Sequence, residues 1–65
     1  MIQVNGSPVD GFTGKSVAAL LEKQGFSPAR VAVERNGAIV RRADFDSVTL
    51  ADDDRIEIVQ FVGGG

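Results

Sequence analysis

Cysteine and histidine are both absent from this chain of 65 residues. Without cysteine no disulfide can stabilise the fold, so the chain is not a disulfide-rich mini-domain. The two absences also remove the thiolate and imidazole ligands of zinc fingers and iron–sulfur clusters. Catalysis by a cysteine nucleophile or a histidine base is excluded as well. We therefore expect no metal site, and nothing in the composition points to a cofactor.

Positive charge and long apolar runs are also scarce. Seven lysines and arginines stand against nine aspartates and glutamates, for a net charge of −2. A nucleic-acid-binding protein normally carries a basic surface, so we expect no nucleic-acid partner. No apolar run reaches the length of a membrane span, and the first residues lack a signal-peptide pattern. We expect a protein of the cytoplasm with no membrane partner.

The residues that are present describe an ordinary globular domain. Hydrophobic residues make up 43% of the chain and charged residues 25%, which is typical of soluble folded proteins. Since domains usually need about 100–200 residues, the length leaves room for only one, spanning residues 1–65.

The first part of the chain predicts a β-hairpin. Apolar and polar residues alternate from Ile2 to Asn5, as in a strand with one buried face. Asn5-Gly6 is a strong hairpin-turn signal because both residues tolerate positive φ. A second short strand is predicted over residues 7–12, and Pro8 favours an edge position because proline cannot donate a ladder hydrogen bond.

A short helix should follow the hairpin. Ser16 is a good N-cap, and Val17, Leu20 and Leu21 form one apolar stripe at helical spacing. Gly25 is a typical residue to end such a helix. A helix of two to three turns is marginal alone, so it must pack on a sheet.

The second half predicts three more strands. Val31 and Val33 alternate with polar residues, Asn36-Gly37 is another turn signal, and a short return strand follows. The last and longest strand should run over residues 55–62. The resulting order is β-β-α-β-β-β, an α+β arrangement in which one helix covers one face of a mixed sheet.

The last strand carries apolar residues on both of its faces. Ile56 and Ile58 point one way, whereas Glu57, Val59 and Phe61 point the other way. If the helix covers the isoleucines, Val59 and Phe61 form an exposed apolar patch, which often marks a partner-binding surface. The alternative is that the register is reversed and these two residues belong to the core.

Three other groups of residues have a functional and a plain structural interpretation. Residues 52–54 are consecutive aspartates, but no calcium-loop spacing surrounds them, so a solvated turn is favoured over a metal site. Asp44 and Asp46 are favoured as surface charges over a catalytic pair. Residues 14–16 (GKS) lack the upstream glycine of a phosphate-binding loop.

Three segments together resemble the ThiS family of thiamine-biosynthesis sulfur carriers. They are residues 36–40 (NGAIV), residues 54–59 (DRIEIV) and the terminal residues 61–65 (FVGGG). The resemblance covers essentially the whole chain. It implies a ubiquitin-like β-grasp fold: a mixed sheet of four to five strands, the first and last side by side at its centre, with one main helix packed on one face.

The resemblance also implies a function for the C-terminal residue. In this scheme Gly65 is adenylated by an ATP-dependent adenylyltransferase of the ubiquitin-activating type and then converted to a thiocarboxylate. A relay starting from cysteine supplies the sulfur, and thiazole synthase receives it. The protein would be a substrate of the adenylating enzyme and not itself an enzyme.

The glycine tail has a physical rationale beside the resemblance. A C-terminal carboxylate is ionised at neutral pH and is a poor electrophile until it is activated. Gly63 and Gly64 carry no Cβ, so a partner can approach the backbone closely while it leads Gly65 into an active site. The plain alternative is a frayed end with no function.

Two further functions stay open at this point. The same tail chemistry could serve another acceptor, as in the small subunit of molybdopterin synthase, although such relatives tend to be longer. The chain could instead be a β-grasp module that docks proteins or RNA and never uses its terminus.

Overall fold

The described part of the chain contains five strands and one α-helix, joined by turns and loops. The computed structural model describes residues 1–61. In chain order the elements are β1 (Ile2–Val4), β2 (Ser7–Val9), α1 (Val17–Gln24), β3 (Val31–Arg35), β4 (Ala38–Val40) and β5 (Arg55–Gln60). Two short 3₁₀ helices, Pro28–Arg30 and Arg42–Asp44, lie in the connections.

The strands form one mixed sheet in the order β2-β1-β5-β3-β4. β1 and β5 are parallel neighbours near its centre, and every other pairing is antiparallel. The predicted β-β-α-β-β-β order and the α+β class are confirmed. The first and last strands lie side by side, and β2 with Pro8 is an edge strand, as the sequence predicts.

Helix α1 begins and ends as its sequence predicts. The Ser16 side chain accepts a hydrogen bond from the backbone N–H of Ala19 at 3.0 Å, which satisfies one free donor of the first turn. Gly25 ends the helix in the left-handed conformation with φ of 82°. The apolar stripe Val17, Leu20 and Leu21 is fully buried.

The core lies between α1 and one face of the sheet. Its buried apolar residues are Ile2, Val4, Val17, Leu20, Leu21, Val31, Val33, Val40, Phe45, Leu50, Ile56 and Ile58. Members come from the helix, from four of the strands and from the loop before β5. The opposite face of the sheet has no covering element within residues 1–61.

Both Asn-Gly turns do more than reverse the chain. Asn5 and Asn36 adopt φ of 50° and 52°. The Asn5 amide donates to the Ile58 carbonyl at 3.2 Å and accepts from the Ile58 N–H at 2.8 Å. The Asn36 side chain accepts from the Arg55 N–H at 2.8 Å. The two turns therefore hold β5 from both sides.

Two strand boundaries differ from the sequence prediction. β2 ends at Val9 and not at residue 12, because Gly11 takes a φ of 84° that breaks the extended conformation. β5 ends at Gln60, although the Phe61 N–H still donates to the Arg30 carbonyl at 2.8 Å. The predicted continuation to residue 62 lies outside the described residues.

Candidate functional site

Strand β5 presents alternate residues to the core and to the uncovered face of the sheet. Ile56 and Ile58 are buried, whereas Val59 is 60% and Phe61 is 52% exposed. The predicted register of β5 is therefore confirmed, and the alternative that Val59 and Phe61 belong to the core is wrong. Their role in binding a partner stays a prediction.

Ile39 is a third exposed apolar residue on this face, and the sequence analysis missed it. It lies on β4 and is 67% exposed, more than either residue of β5. The signal was available, because Ile39 alternates with Val40, which is buried on the helix side. We call the uncovered side of β5, β3 and β4 the open face.

The pairing register places polar residues among these apolar ones. Glu34 of β3 lies directly opposite Ile39 on one side and Glu57 of β5 on the other. In the adjacent row Ala32 is opposite Val59. The open face therefore combines apolar side chains with two neighbouring carboxylates.

The open face leads directly to the C-terminal end of the chain. Phe61 is the last described residue, and its backbone hydrogen bond to Arg30 keeps it alongside the start of β3. Gly63, Gly64 and Gly65, the predicted reactive tail, lie outside the described residues. Only three residues separate Phe61 from Gly65, with Phe61 exposed on the predicted partner surface.

The prediction that residues 52–54 form a solvated turn is wrong for Asp54. This residue is only 4% exposed and accepts hydrogen bonds from three donors. Arg35 Nε donates at 2.7 Å, the Ala51 N–H at 2.8 Å and Asn36 Nδ2 at 2.9 Å. Asp54 thus joins the turn before β5 to the β3–β4 hairpin.

The surroundings of Asp54 have two opposing effects on the pKa of its carboxyl. Burial by itself would raise the pKa of the carboxyl. The hydrogen bonds from Ala51, Arg35 and Asn36 outweigh burial, and the pKa lies below its usual value. Asp54 is therefore an ionised structural residue, not a candidate acid or base.

The other predicted surface carboxylates behave as expected. Asp52 and Asp53 are exposed and pair with the N-terminal ammonium of Met1. The hydrogen bonds that this ammonium donates to Asp53 and Asp52 raise its pKa. Asp46 is exposed and Asp44 is partly exposed. Within residues 1–61 no group of three or more acidic side chains is arranged to hold a metal ion.

The Ser16 side chain caps α1, as described above, so the segment at residues 14–16 has a structural role. In the described part of the chain, no helix is long and apolar enough to cross a membrane.

Comparison with known proteins identifies one family. The family model described as "ThiS family" matches residues 2–65. The sulfur carrier protein ThiS of Bacillus subtilis is 42% identical over 67 residues, and the match covers all of both chains. Thiazole synthase of Magnetococcus marinus is 47% identical over 64 residues, which are 98% of this chain but 20% of that protein.

A second thiazole synthase, from Paramagnetospirillum magneticum, is 40% identical over 62 residues and 19% of its own length is matched. The chain therefore spans about a fifth of each of these two relatives. Among solved structures, the crystal structure of the thiamine biosynthesis protein ThiS from Geobacter metallireducens superposes with a TM-score of 0.78. That match is at 39% identity and covers 98% of this chain and 97% of the other.

Proposed function

The chain belongs to the ThiS family, and from this membership we propose that it is a sulfur carrier of thiamine biosynthesis whose reactive group is the carboxylate of Gly65. The observation that carries the proposal is the extent of the family match, which runs through the glycine tail to residue 65. The protein acts as a donor and a substrate and not as a catalyst.

The proposed activation makes the Gly65 carboxylate an electrophile. A carboxylate oxygen attacks the α-phosphorus of ATP, pyrophosphate leaves and an acyl adenylate forms. A sulfide equivalent, derived from cysteine through a relay protein, then adds to the carbonyl carbon. The C–O bond to AMP breaks, AMP leaves and a thiocarboxylate remains. We propose that both steps take place on an ATP-dependent partner of the ubiquitin-activating type, which supplies the ATP site and brings the sulfur donor to the activated carbonyl.

The fold suits presentation of this tail to a partner. Ile58 is held by the Asn5 side chain, and Phe61 is held by the Arg30 carbonyl. The strand that leads to the tail is therefore anchored almost to its end. Gly63 and Gly64 would then enter a narrow channel, where the absence of Cβ atoms lets the partner close around the backbone.

The proposed acceptor of the sulfur is thiazole synthase. Two proteins of that name contain a segment that is 47% and 40% identical to this chain. We expect two units that work together to be joined in one protein more often than units that do not. This favours thiazole synthase over the acceptor of molybdopterin synthesis. We also propose that the protein works in the cytoplasm.

The activation step is tested with the chain and its adenylating enzyme. ATP–pyrophosphate exchange should depend on the unmodified chain and should disappear when Gly65 is deleted or one residue is appended after it. A circular dichroism spectrum of each variant serves as the control for folding. Exchange that persists with the shortened chain would rule out Gly65 as the reacting residue.

The product is tested by mass spectrometry of protein purified from its native host. A fraction of the chain should show the mass increase that replacement of one oxygen by one sulfur produces. The extra mass should map to the C-terminal peptide. A plain β-grasp binding module would show neither this species nor tail-dependent exchange.

A further inference from the structure

Both asparagines of the chain are followed by glycine, a sequence that is prone to deamidation. They are Asn5 and Asn36, and they lie at the two hairpin turns. Asparagine is among the chemically labile residues, and a following glycine has no Cβ to hinder attack by its own backbone nitrogen. The two turns are therefore candidate sites of a modification that needs no enzyme.

The modification exchanges a side-chain amide for a carboxylate. The backbone nitrogen of the glycine loses its proton and attacks Cγ of the asparagine. The new N–Cγ bond closes a succinimide ring, the Cγ–Nδ2 bond breaks, and Nδ2 takes up a proton and leaves as ammonia. Water then opens the ring at either carbonyl and gives aspartate or isoaspartate. One water is consumed and one ammonia is released, so no oxidant, reductant or other reactant is needed.

In the folded protein, hydrogen bonds hold both side-chain amides against β5 and the residue before it. Asn36 Nδ2 donates to Asp54 Oδ1 at 2.9 Å, and Asn36 Oδ1 accepts from the Arg55 N–H at 2.8 Å. Asn5 Nδ2 donates to the Ile58 carbonyl at 3.2 Å, and Asn5 Oδ1 accepts from the Ile58 N–H at 2.8 Å. Ring closure turns the amide towards its own backbone and makes Cγ tetrahedral, so these bonds oppose the reaction.

Shielding of the backbone cannot supply the same protection. Both asparagines are exposed to solvent. A Cβ added at Gly6 or Gly37 would meet no heavy atom within 4 Å beyond the neighbouring residues. Each reacting pair therefore lies in open surroundings, and the hydrogen bonds of the asparagine side chain are what oppose the reaction.

We propose that Asn36 is a deamidation site that its hydrogen bonds to Asp54 and Arg55 keep unreactive, and that its modification is a one-way change that prevents this network from forming again. A carboxylate at position 36 has no N–H to donate, and it would lie beside the ionised carboxylate of Asp54. The proposal is independent of the proposed function, because neither the reaction nor its test involves the C-terminal tail.

The charges around Asn36 make a new carboxylate there unfavourable. They are two arginines and three acidic residues, namely Arg35, Arg55, Glu34, Asp54 and Glu57. The arginines offset part of the repulsion, but negative charge is already in excess by one. A further carboxylate increases this excess, and like charges at short range disfavour one another.

Modification of Asn5 should be less damaging. The donor that is lost there faces the backbone carbonyl of Ile58, which carries no net charge. A carboxylate oxygen can still accept from the Ile58 N–H. Asp-Gly is as suitable a turn sequence as Asn-Gly, so at both turns the cost lies in the side-chain contacts. The two sites are therefore a matched pair with the same chemical change and the same change in net charge.

The protection is tested by incubating the unmodified chain in mildly alkaline buffer, once folded and once unfolded in guanidinium chloride. Trypsin cleaves after lysine and arginine, so Asn5 falls in residues 1–15 and Asn36 in residues 36–41. Mass spectrometry follows the fraction of each peptide in which a hydroxyl has replaced the amide nitrogen. We expect both sites to react at least about tenfold more slowly in the folded chain, because each needs a local opening that breaks two hydrogen bonds. Protein digested without incubation is the control for modification during the digest.

The consequence is tested with the variants Asn36→Asp and Asn5→Asp. Asn36→Asp should lower the melting temperature more than Asn5→Asp does, because only position 36 places the new charge beside Asp54. Equal rates of modification at position 36 in the folded and the unfolded chain, or a faster rate in the folded chain, would overturn the proposed protection. Equal melting temperatures of the two variants, or a larger decrease for Asn5→Asp, would overturn the proposed one-way change.

Discussion

At the scale of single residues, Asp54 shows what the sequence could and could not reveal. Three consecutive aspartates have no periodicity, so nothing local distinguishes Asp54 from its two exposed neighbours. Its partners Arg35 and Asn36 lie 19 and 18 residues away in the chain. Only the pairing of β3 with β5 brings them together. A buried carboxylate needs such partners, because an unpaired charge is costly in the interior.

Replacing Asp54 by alanine should destabilise the fold. The change leaves Arg35, Asn36 and the Ala51 N–H without their acceptor, and we expect a loss of about 2–3 kcal/mol in the free energy of unfolding. Arg35 is partly exposed, so water offsets some of the cost. Urea unfolding measures the effect. Asp52→Ala is the control, and as a surface change it should cost at most about 0.5 kcal/mol. Equal effects of the two changes would contradict the assigned role of Asp54.

The same network should make stability depend on pH in the acid range. The pKa of Asp54 is lowered in the folded state from an ordinary value of 3.8, so its contribution is fully present above that value. The contribution is lost as the pH falls through the lower, folded-state pKa. The difference in unfolding free energy between the unmodified chain and Asp54→Asn should therefore be constant near neutral pH and shrink below 3.8. If this difference grew as the pH fell, the assigned direction of the Asp54 pKa shift would be wrong.

At the scale of elements, local patterns predicted most of the fold. Alternation identified β1, β3 and β5, the apolar stripe identified α1, and both Asn-Gly turns were recognised. The side-chain hydrogen bonds of these asparagines could not be predicted. They depend on which strand lies beside each turn, and that is a property of the sheet order. The sequence thus reveals a turn residue but not its second role.

Asn5→Gly should isolate that second role. Glycine accepts the positive φ of this turn, so only the two hydrogen bonds to Ile58 are lost. We expect a decrease of about 1–2 kcal/mol in unfolding free energy, measured in urea. Asp53→Gly is the control, because Asp53 also has a positive φ but is exposed. If Asn5→Gly and Asp53→Gly change the free energy of unfolding by the same amount, the hydrogen bonds of the Asn5 side chain contribute no stability.

The two sides of β5 should respond differently to truncation. Ile58→Ala should cost about 2–5 kcal/mol, because it removes buried apolar surface and leaves a cavity. The neighbouring change Val59→Ala, at an exposed position, should cost less than about 1 kcal/mol. A small domain with total stability near the lower end of about 5–15 kcal/mol could be largely unfolded by the first change. A larger cost for Val59→Ala than for Ile58→Ala would show that the assigned register of β5 is wrong.

At the scale of the whole molecule, the partner surface was only partly predictable. Val59 and Phe61 follow from alternation once the helix is assigned to the isoleucine side. Alternation along β4 and β5 also places Ile39 and Glu57 on this side, but the position of Glu34 between them depends on the pairing of three strands, which no local pattern contains. Local patterns therefore show which single residues can lie on the open face, whereas the strand order decides which of them are neighbours there.

Phe61→Asp tests the open face without disturbing the core. Phe61 is half exposed, so a carboxylate there stays hydrated in the free protein, and the free energy of unfolding should change by no more than about 0.5 kcal/mol. Binding to the adenylating enzyme should nevertheless be lost, because an apolar anchor becomes a charge that must be desolvated at the interface. Val59→Asp, on the same side of β5, should behave in the same way. Urea unfolding and calorimetric titration of the same samples separate the two effects. Normal binding by a folded Phe61→Asp protein would show that the partner contacts another surface, whereas loss of folding would show that Phe61 supports the core.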